Sequence, residues 1–197
     1  MKENKKYMII TGLVALYLLK KYGMSGIKQT LVDIGLKYEG IKELGTNWSF
    51  NDKDFEKKMI AAGWKRGDEW CAYFVKMVFL QAFPKDVAEL KKILSGATQK
   101  LFNNAAADTS GKYKVITSGV PEPGDIAIWV RSNNAAKGHA GLVIKADENY
   151  FYTIEGNTDK AGSPIGQQVV RHKRPLQYGV KMPNSILKLR GFVRKIT

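Results

Sequence analysis

The spacing of apolar residues changes near the middle of the chain, from one typical of helices to one typical of short strands. Before about residue 103, apolar side chains recur at spacings of three and four, which is the period of an amphipathic helix. From Lys112 onward, short apolar runs alternate with turn signals, which indicates strands joined by hairpins. Helices followed by strands predict an α+β fold, in which N-terminal helices pack on a mainly antiparallel β-sheet.

The same patterns give approximate bounds for each element. Asn51 or Asp52 is the expected cap of the second helix, and Pro84 stops the third. The predicted helices are 27–44, 51–62, 71–83 and 86–103. The predicted strands are 113–117, 126–130, 139–145, 150–155, 167–174 and 189–195, with 131–138 expected as a polar loop.

A short apolar segment, residues 7–19, precedes this domain between lysines on both sides. It is shorter than the roughly 20 residues that span a membrane, and no small-residue cleavage site follows it. Its apolar residues surround the helix instead of marking one face. We expect residues 1–22 to form a short hydrophobic helix that anchors the protein in a membrane. A helix buried in a partner assembly and a core helix are the alternatives, and 27–197 is the expected catalytic domain.

The chain is strongly basic, with a formal net charge of +14 and no acidic residue after Asp159. Such an excess favours polyanionic partners, namely nucleic acid, an anionic membrane or an acidic cell-wall polymer. No nucleic-acid motif occurs, and aromatic and cationic residues are not interleaved in one stripe. We therefore expect no nucleic-acid partner.

The single cysteine excludes an internal disulfide and cysteine-rich zinc sites. Only two histidines occur, His139 and His172, and they lie far apart in the sequence. A zinc site would need several carboxylates to complete it. We expect no metal and no cofactor.

Cys71 lies at the start of an apolar helical run, just after an acidic turn that begins at Gly67. A thiol in the first turn of a helix has a lowered pKa, because backbone N–H groups and the helix dipole favour an anion there. This placement predicts a nucleophile. The alternative is an inert core residue, since free cysteines are commonly buried.

A cysteine nucleophile needs a base, and the base needs a group that orients it. His139 begins an apolar strand among small neighbours, whereas His172 lies among three cations that would lower its pKa, so His139 is the better candidate. If the strands 139–145 and 150–155 form a hairpin, Glu155 and Asn157 return beside His139. Either could accept the imidazole N–H. A plain turn at 155–157 and a polar strand end at His139 are the alternatives.

Four segments occur together in a familiar order: Glu-Trp-Cys-Ala-Tyr-Phe-Val at 69–75, Pro-Gly-Asp-Ile at 123–126, Gly-His-Ala-Gly-Leu-Val at 138–143 and Glu-Gly-Asn at 155–157. They resemble the ordered blocks of CHAP domains (cysteine, histidine-dependent amidohydrolases/peptidases). These are papain-like peptidoglycan hydrolases common in phage lysins and bacterial wall enzymes. The resemblance extends over about residues 27–195.

The resemblance implies a papain-like fold with Cys71 as nucleophile and His139 as general base. Glu155 would orient His139, and Asn157 would lie near the histidine or the oxyanion. Trp70 stands where many CHAP domains carry a polar residue, often glutamine. The oxyanion would then rest on the Cys71 N–H and one other donor, or Trp70 would serve as a packing or substrate wall. Tyr73 is a further expected substrate contact.

The implied activity is hydrolysis of an amide bond of the wall peptide, as an N-acetylmuramoyl-L-alanine amidase or an endopeptidase. A phage lysin or a virion-associated enzyme fits the same resemblance, so the expected location is the cell envelope, with a membrane anchor, or a virion. The expected partners are peptidoglycan, a membrane through residues 7–19, and virion proteins. A catalytically inactive wall-binding or structural protein on the same fold is the alternative.

Overall fold

Helices precede the main β-sheet in this computed structural model, which describes residues 26–196, and the predicted α+β class is confirmed. The helices are α1 (Gly26–Lys37), α2 (Lys53–Ala61), α3 (Cys71–Ala82), α4 (Val87–Ile93) and α5 (Thr98–Ala106). The strands are β1 (Glu43–Leu44), β2 (Ser49–Phe50), β3 (Tyr113–Ile116), β4 (Ile126–Arg131), β5 (Asn134–Ala146), β6 (Tyr150–Thr158), β7 (Gln168–Pro175) and β8 (Leu187–Lys195).

Six of these strands form one antiparallel sheet in the order β3-β8-β4-β5-β6-β7. The β5–β6 hairpin predicted from the sequence is present, with Leu142 opposite Ile154. On the far side of β6, Phe151 pairs with Arg174 of β7. Residues of β5, β6 and β7 that are distant in sequence are therefore brought side by side.

The helix α3 forms the centre of the larger core. It contacts β5 and β6 on one side and α1 and α2 on the other. Phe74, Val75 and Val78 have no exposed surface. Because neighbours enclose α3, its apolar residues occupy most of its circumference instead of one stripe.

The opposite face of the sheet carries a second apolar cluster, which includes Trp129, Phe151 and Phe192. Met182, between β7 and β8, and Leu187, the first residue of β8, belong to the same cluster. Side chains alternate between the two faces along a strand. His139 accordingly lies on the Trp129 side of β5, with the two ring centroids 5.7 Å apart.

Tertiary pairing shortens the first predicted helix. The prediction of a helix over 27–44 is wrong beyond Lys37, because residues 40–43 form backbone hydrogen bonds with residues 167–169. Helical periodicity continues into this segment, but its backbone groups bond to a distant chain segment instead.

Two further bounds differ from the prediction. The single helix expected over 86–103 is divided into α4 and α5, because Leu94 is extended (φ −80°, ψ 105°). The polar loop expected over 131–138 is wrong, because β5 begins at Asn134 and forms a tight hairpin with β4. Polar residues at a hairpin tip carry no clear strand signal, so only the pairing reveals these positions.

The apolar segment 7–19 lies outside the described residues, so the predicted anchor stays a prediction. Within 26–196, no helix combines the length and the apolar character that crossing a bilayer requires.

Candidate active site

The candidate nucleophile occupies the first turn of α3. Cys71 is the first helical residue, and the preceding Trp70 makes no side-chain cap. Backbone N–H groups of a first helical turn have no acceptor within the helix, and together with the helix dipole they favour an anion. Cys71 is 3% exposed. The thiol thus lies where the sequence predicts it, with only a small part of its surface open to solvent.

A carboxylate holds the imidazole of His139 from one side. Nε2 of His139 lies 2.9 Å from Oε2 of Glu155, and neither side chain has exposed surface. Beside a carboxylate, this ring nitrogen carries the proton and donates it to the hydrogen bond. Nδ1 of His139 has no hydrogen-bond partner among the residues that the structure describes. The second ring nitrogen therefore remains for the thiol.

Cys71 and His139 shift each other's pKa. Burial raises the pKa of the Cys71 thiol, but the nearby charge of His139 and the donors beside the sulfur outweigh it, so the pKa is lowered overall. Burial also lowers the pKa of His139, whereas the charges of Cys71 and Glu155 and the hydrogen bond to Glu155 raise it to about 9. These directions favour a thiolate–imidazolium pair at neutral pH.

Two further donors lie beside the thiol. The backbone N–H of Ala140 and the hydroxyl of Thr98 both lower the pKa of Cys71. Oγ1 of Thr98, in the first turn of α5, is 3.9 Å from Sγ of Cys71. The sulfur therefore has hydrogen-bond donors on more than one side.

Glu155, on β6, is surrounded by donors. Nε of Arg174 donates to Oε1 of Glu155 at 2.9 Å, and Nη2 of Arg174 donates to Oε2, which forms a two-pronged pair. The hydroxyl of Thr153 also donates to Oε1. Burial raises the pKa of this carboxyl, but Arg174 and His139 hold it well below its usual range. Glu155 is therefore ionised and accepts the His139 N–H, as the sequence predicts.

Asn157 holds the backbone of the nucleophile turn. Its Oδ1 accepts the backbone N–H of Trp70 at 2.8 Å, and its Nδ2 donates to the carbonyl of Gly166 at 2.7 Å. Its own backbone is left-handed, with φ 57°, a conformation that asparagine adopts more readily than most residues. Among the described residues neither amide atom bonds to His139. Asn157 therefore bonds to the residue before the nucleophile and not to His139, and a place near the oxyanion stays a prediction.

Trp70 is a packing residue. Its side chain has no exposed surface, its ring lies 5.0 Å from that of Phe50, and its Nε1 donates to Oε2 of Glu43. The prediction of a substrate contact at Trp70 is therefore wrong, because a fully enclosed ring cannot touch a ligand. The alternative that the sequence left open, a packing role, is the one found.

Tyr73 lies in α3, two residues after Cys71, and keeps part of its ring exposed. Its hydroxyl donates to Oδ2 of Asp68 at 3.1 Å. The ring rests on Gly96, where an added Cβ would come within 2.1 Å of it. This close approach requires glycine. A substrate contact at Tyr73 stays a prediction.

An ion cluster ties the nucleophile turn to the sheet. Glu69, two residues before Cys71, accepts from Nη2 of Arg131 at 2.7 Å and lies 3.4 Å from Nζ of Lys137. Arg131 ends β4 and Lys137 belongs to the first part of β5. Within residues 26–196, histidine, cysteine and carboxylate side chains form no group of three that could bind a metal ion.

The sequence prediction missed three of these residues: Thr98, Thr153 and Arg174. The sequence identifies Arg174 only as one of the cations around His172 and as part of the basic excess, although it lies two positions after His172 on the same strand face. Thr153 is likewise two positions before Glu155. These alternations were the available signals, while Thr98 carries none, because only folding brings α5 beside α3.

Comparison with known proteins points to one family. The family model described as "CHAP domain" matches residues 63–157, a range that contains Cys71, His139, Glu155 and Asn157. No curated protein matches the chain. Two crystal structures of an N-acetylmuramoyl-L-alanine amidase from Bacteroides uniformis ATCC 8492 each align with a TM-score of 0.49 and 12% identity, over 88% of this chain and 100% of theirs. Overlap at this level has no bearing on activity. Over residues 63–157, this chain is similar to CHAP domains.

Proposed function

We propose that this protein is a peptidoglycan hydrolase that cleaves an amide bond of the wall peptide with Cys71 as nucleophile. One observation carries the proposal. His139 uses Nε2 on the buried Glu155, 2.9 Å away, which leaves Nδ1 for a thiol at a helix N-terminus. A nucleophile, a base and a group that orients the base form the minimal set for acyl transfer. The CHAP match covers these residues.

The first half of the reaction acylates the enzyme. The Cys71 thiolate attacks the amide carbonyl, an S–C bond forms, and the π electron pair of the carbonyl moves onto oxygen. The imidazolium of His139 then gives its proton to the amide nitrogen as the C–N bond breaks. The amine leaves, and a thioester on Cys71 remains.

The second half restores the enzyme. His139, now neutral, removes a proton from water, and the resulting hydroxide equivalent adds to the thioester carbonyl. When that intermediate collapses, the S–C bond breaks, the carboxylic acid leaves and the thiolate–imidazolium pair returns. Glu155 stabilises the imidazolium at both stages without itself taking the proton.

Both intermediates carry an oxyanion that needs donors. The Cys71 N–H lies in the first turn of α3, where helix geometry provides it no acceptor. The Thr98 hydroxyl, 3.9 Å from Sγ, is close enough to reach an oxygen bonded to the attacked carbon. We assign these two groups to the oxyanion, in place of the side chain that Trp70 cannot supply.

The test compares wild type with Cys71→Ala on purified sacculi. We expect wild type to release new amine or sugar-linked ends and to lower turbidity, and Cys71→Ala to release none above background. Because the sequence holds one cysteine, a thiol reagent should abolish the wild-type activity and leave Cys71→Ala unchanged. Equal release by both proteins would rule out the cysteine mechanism. Wall binding without release by wild type would favour the inactive wall-binding alternative.

Product masses from defined muropeptides separate the two candidate bonds. An N-acetylmuramoyl-L-alanine amidase frees the sugar lactyl carboxylate and the N-terminus of the stem peptide. An endopeptidase leaves the sugar on the stem and cuts within the peptide or its cross-bridge. Both outcomes use the same chemistry at Cys71.

We further propose that the enzyme works at the cell envelope, anchored in a membrane by residues 7–19, or in a virion. Lysines on both sides of this apolar segment and the net charge of +14 support an anionic surface as its surroundings. The full chain should partition with membranes and need detergent for release. A chain without residues 1–22 should stay in the aqueous phase, and equal partitioning of the two would contradict the anchor.

A further inference from the structure

Glu155 lies between two cations, and only one of them belongs to the proposed reaction. Oε2 accepts from His139 Nε2 at 2.9 Å, and the guanidinium of Arg174 donates to both carboxylate oxygens. Arg174 has a side chain only 7% exposed, and Glu155 has none exposed. An arginine in this position is unexplained by nucleophile, base and orienting carboxylate alone.

We propose that Arg174 is a positioning residue that keeps Glu155 ionised and so holds the proton on His139, where the leaving amine needs it. This inference rests on the proposed function, because it gives the same site a fourth member. A buried carboxylate with only an imidazolium beside it can take the proton and leave two neutral groups, since burial disfavours charge. A guanidinium remains charged throughout the working pH range of proteins and prevents this transfer.

The charges in the cluster alternate and cancel. Thiolate, imidazolium, carboxylate and guanidinium follow one another from Cys71 through His139 and Glu155 to Arg174. Without Arg174 the buried set would carry one net negative charge. An unbalanced buried charge is costly, and the cheapest response is protonation of Glu155 or Cys71.

The fold holds the guanidinium rigidly. Nη1 of Arg174 donates to the Gly162 carbonyl at 3.4 Å, and Cζ lies 5.3 Å from the ring centroid of Trp129. Gly162 has φ +82°, and a Cβ there would lie 2.6 Å from Nη1. The planar guanidinium of Arg174 is therefore held in one orientation. A lysine ammonium could replace its charge but not its two parallel hydrogen bonds to Glu155.

Other charged groups face this cluster. They are His172, on β7, and Asp159, directly after β6. Burial lowers the pKa of His172. His172 is consequently neutral at neutral pH and cannot take the place of Arg174 as the permanent cation.

The test measures how fast iodoacetamide alkylates Cys71 as a function of pH, without peptidoglycan. Removal of the Arg174 charge favours the protonated forms of Glu155 and Cys71. In Arg174→Gln we expect the acid limb of this profile to move to higher pH by about one unit or more, the size that a close opposite charge produces. On sacculi we expect kcat to fall about 10- to 100-fold with little change in KM.

Arg171→Gln is the matched control. Arg171 is on the same strand, but it is exposed and paired with Glu39 at 2.7 Å. Its profile should superimpose on that of wild type. A folded Arg174→Gln, judged by thermal unfolding, with an unmoved acid limb would overturn the proposal. So would an equal movement in Arg171→Gln.

Arg174→Lys carries the test if Arg174→Gln does not fold. This variant keeps the positive charge but loses the second hydrogen bond to Glu155. The acid limb of its alkylation profile should therefore move to higher pH by about half a pH unit. An unmoved limb with wild-type hydrolysis would contradict the role. If the alkylation profiles shift as expected while wild type leaves sacculi intact, the proposed substrate fails and the assignment of Arg174 stands.

Discussion

Two arginine–carboxylate pairs in this protein have the same bonding and opposite electrostatics. In the candidate active site, Arg174 donates one hydrogen bond to each carboxylate oxygen of Glu155, which makes a bidentate pair. Arg194, on β8, forms the same bidentate pair with Asp125, the residue before β4. The Nε–Oδ1 and Nη2–Oδ2 distances are both 2.7 Å. The pKa of Glu155 is held well below its usual range, whereas burial raises the pKa of Asp125.

The difference lies in how many cations each carboxylate has. Arg194 also binds Glu122, so one guanidinium serves two acids, and the charge of Glu122 adds to the rise at Asp125. Glu155 has the reverse arrangement, one acid between Arg174 and His139. A two-pronged arginine pair does not by itself make a strong acid. The balance of charge around the carboxylate decides whether it is available as a permanent anion.

The strongest test of this comparison is Glu155→Gln. Without the carboxylate, the buried set of Cys71, His139 and Arg174 carries one net positive charge. We expect kcat/KM on sacculi to fall about 10⁴-fold, the effect of neutralising the orienting carboxylate of a catalytic triad. Unfolding free energy, from denaturant melts, should fall by about 3 kcal/mol. Near-normal activity would contradict the role of Glu155.

A second test measures how much the neutral hydroxyl of Thr98, beside the thiol, contributes to the rate of hydrolysis. Thr98→Val keeps the shape of the side chain and removes its hydroxyl. We expect kcat to fall about 10²-fold, the lower end for loss of one oxyanion donor, with KM nearly unchanged. Thr98→Ser should restore most of the rate. A rate in Thr98→Val equal to that of wild type would remove Thr98 from the oxyanion site.

The pH dependence of hydrolysis tests the charge balance directly. The pKa of His139 is raised to about 9, so the imidazolium is present below that pH and is lost as pH rises through it. The rate should therefore fall about tenfold per pH unit above about 9, since the leaving amine loses its proton donor. On the acid side it should fall as the Cys71 thiolate is protonated. A rate that keeps rising above pH 10 would contradict the imidazolium.

The smallest effect is expected at the other pair. Asp125→Asn removes a carboxylate whose pKa is raised on folding, so its ionised form adds no stability at neutral pH. The cost should come from one lost hydrogen bond to Arg194, about 1 kcal/mol of unfolding free energy. Hydrolysis should remain within about twofold of wild type. A loss of activity as large as that in Glu155→Gln would break the comparison.

Short-range patterns predicted much of the fold and the central part of the site. The period of the apolar residues indicated α3 and its start at Cys71, and the turn after β5 indicated the hairpin that returns Glu155 to His139. Both signals are local, because a helix start and a hairpin register depend on neighbouring residues. The end of α1 was missed, since its continuation bonds to residues far along the chain.

By itself the sequence determined the α+β order, the single thiol at a helix start, and the histidine and carboxylate on adjacent strands. Only the tertiary structure decided that Trp70 is buried, that Asn157 holds the backbone before Cys71, and that Arg174 meets Glu155. The physical reason is how far apart in sequence the interacting residues are. Periodicity and turns are fixed by residues close in sequence, whereas burial and the partner of a charge depend on which strands lie side by side.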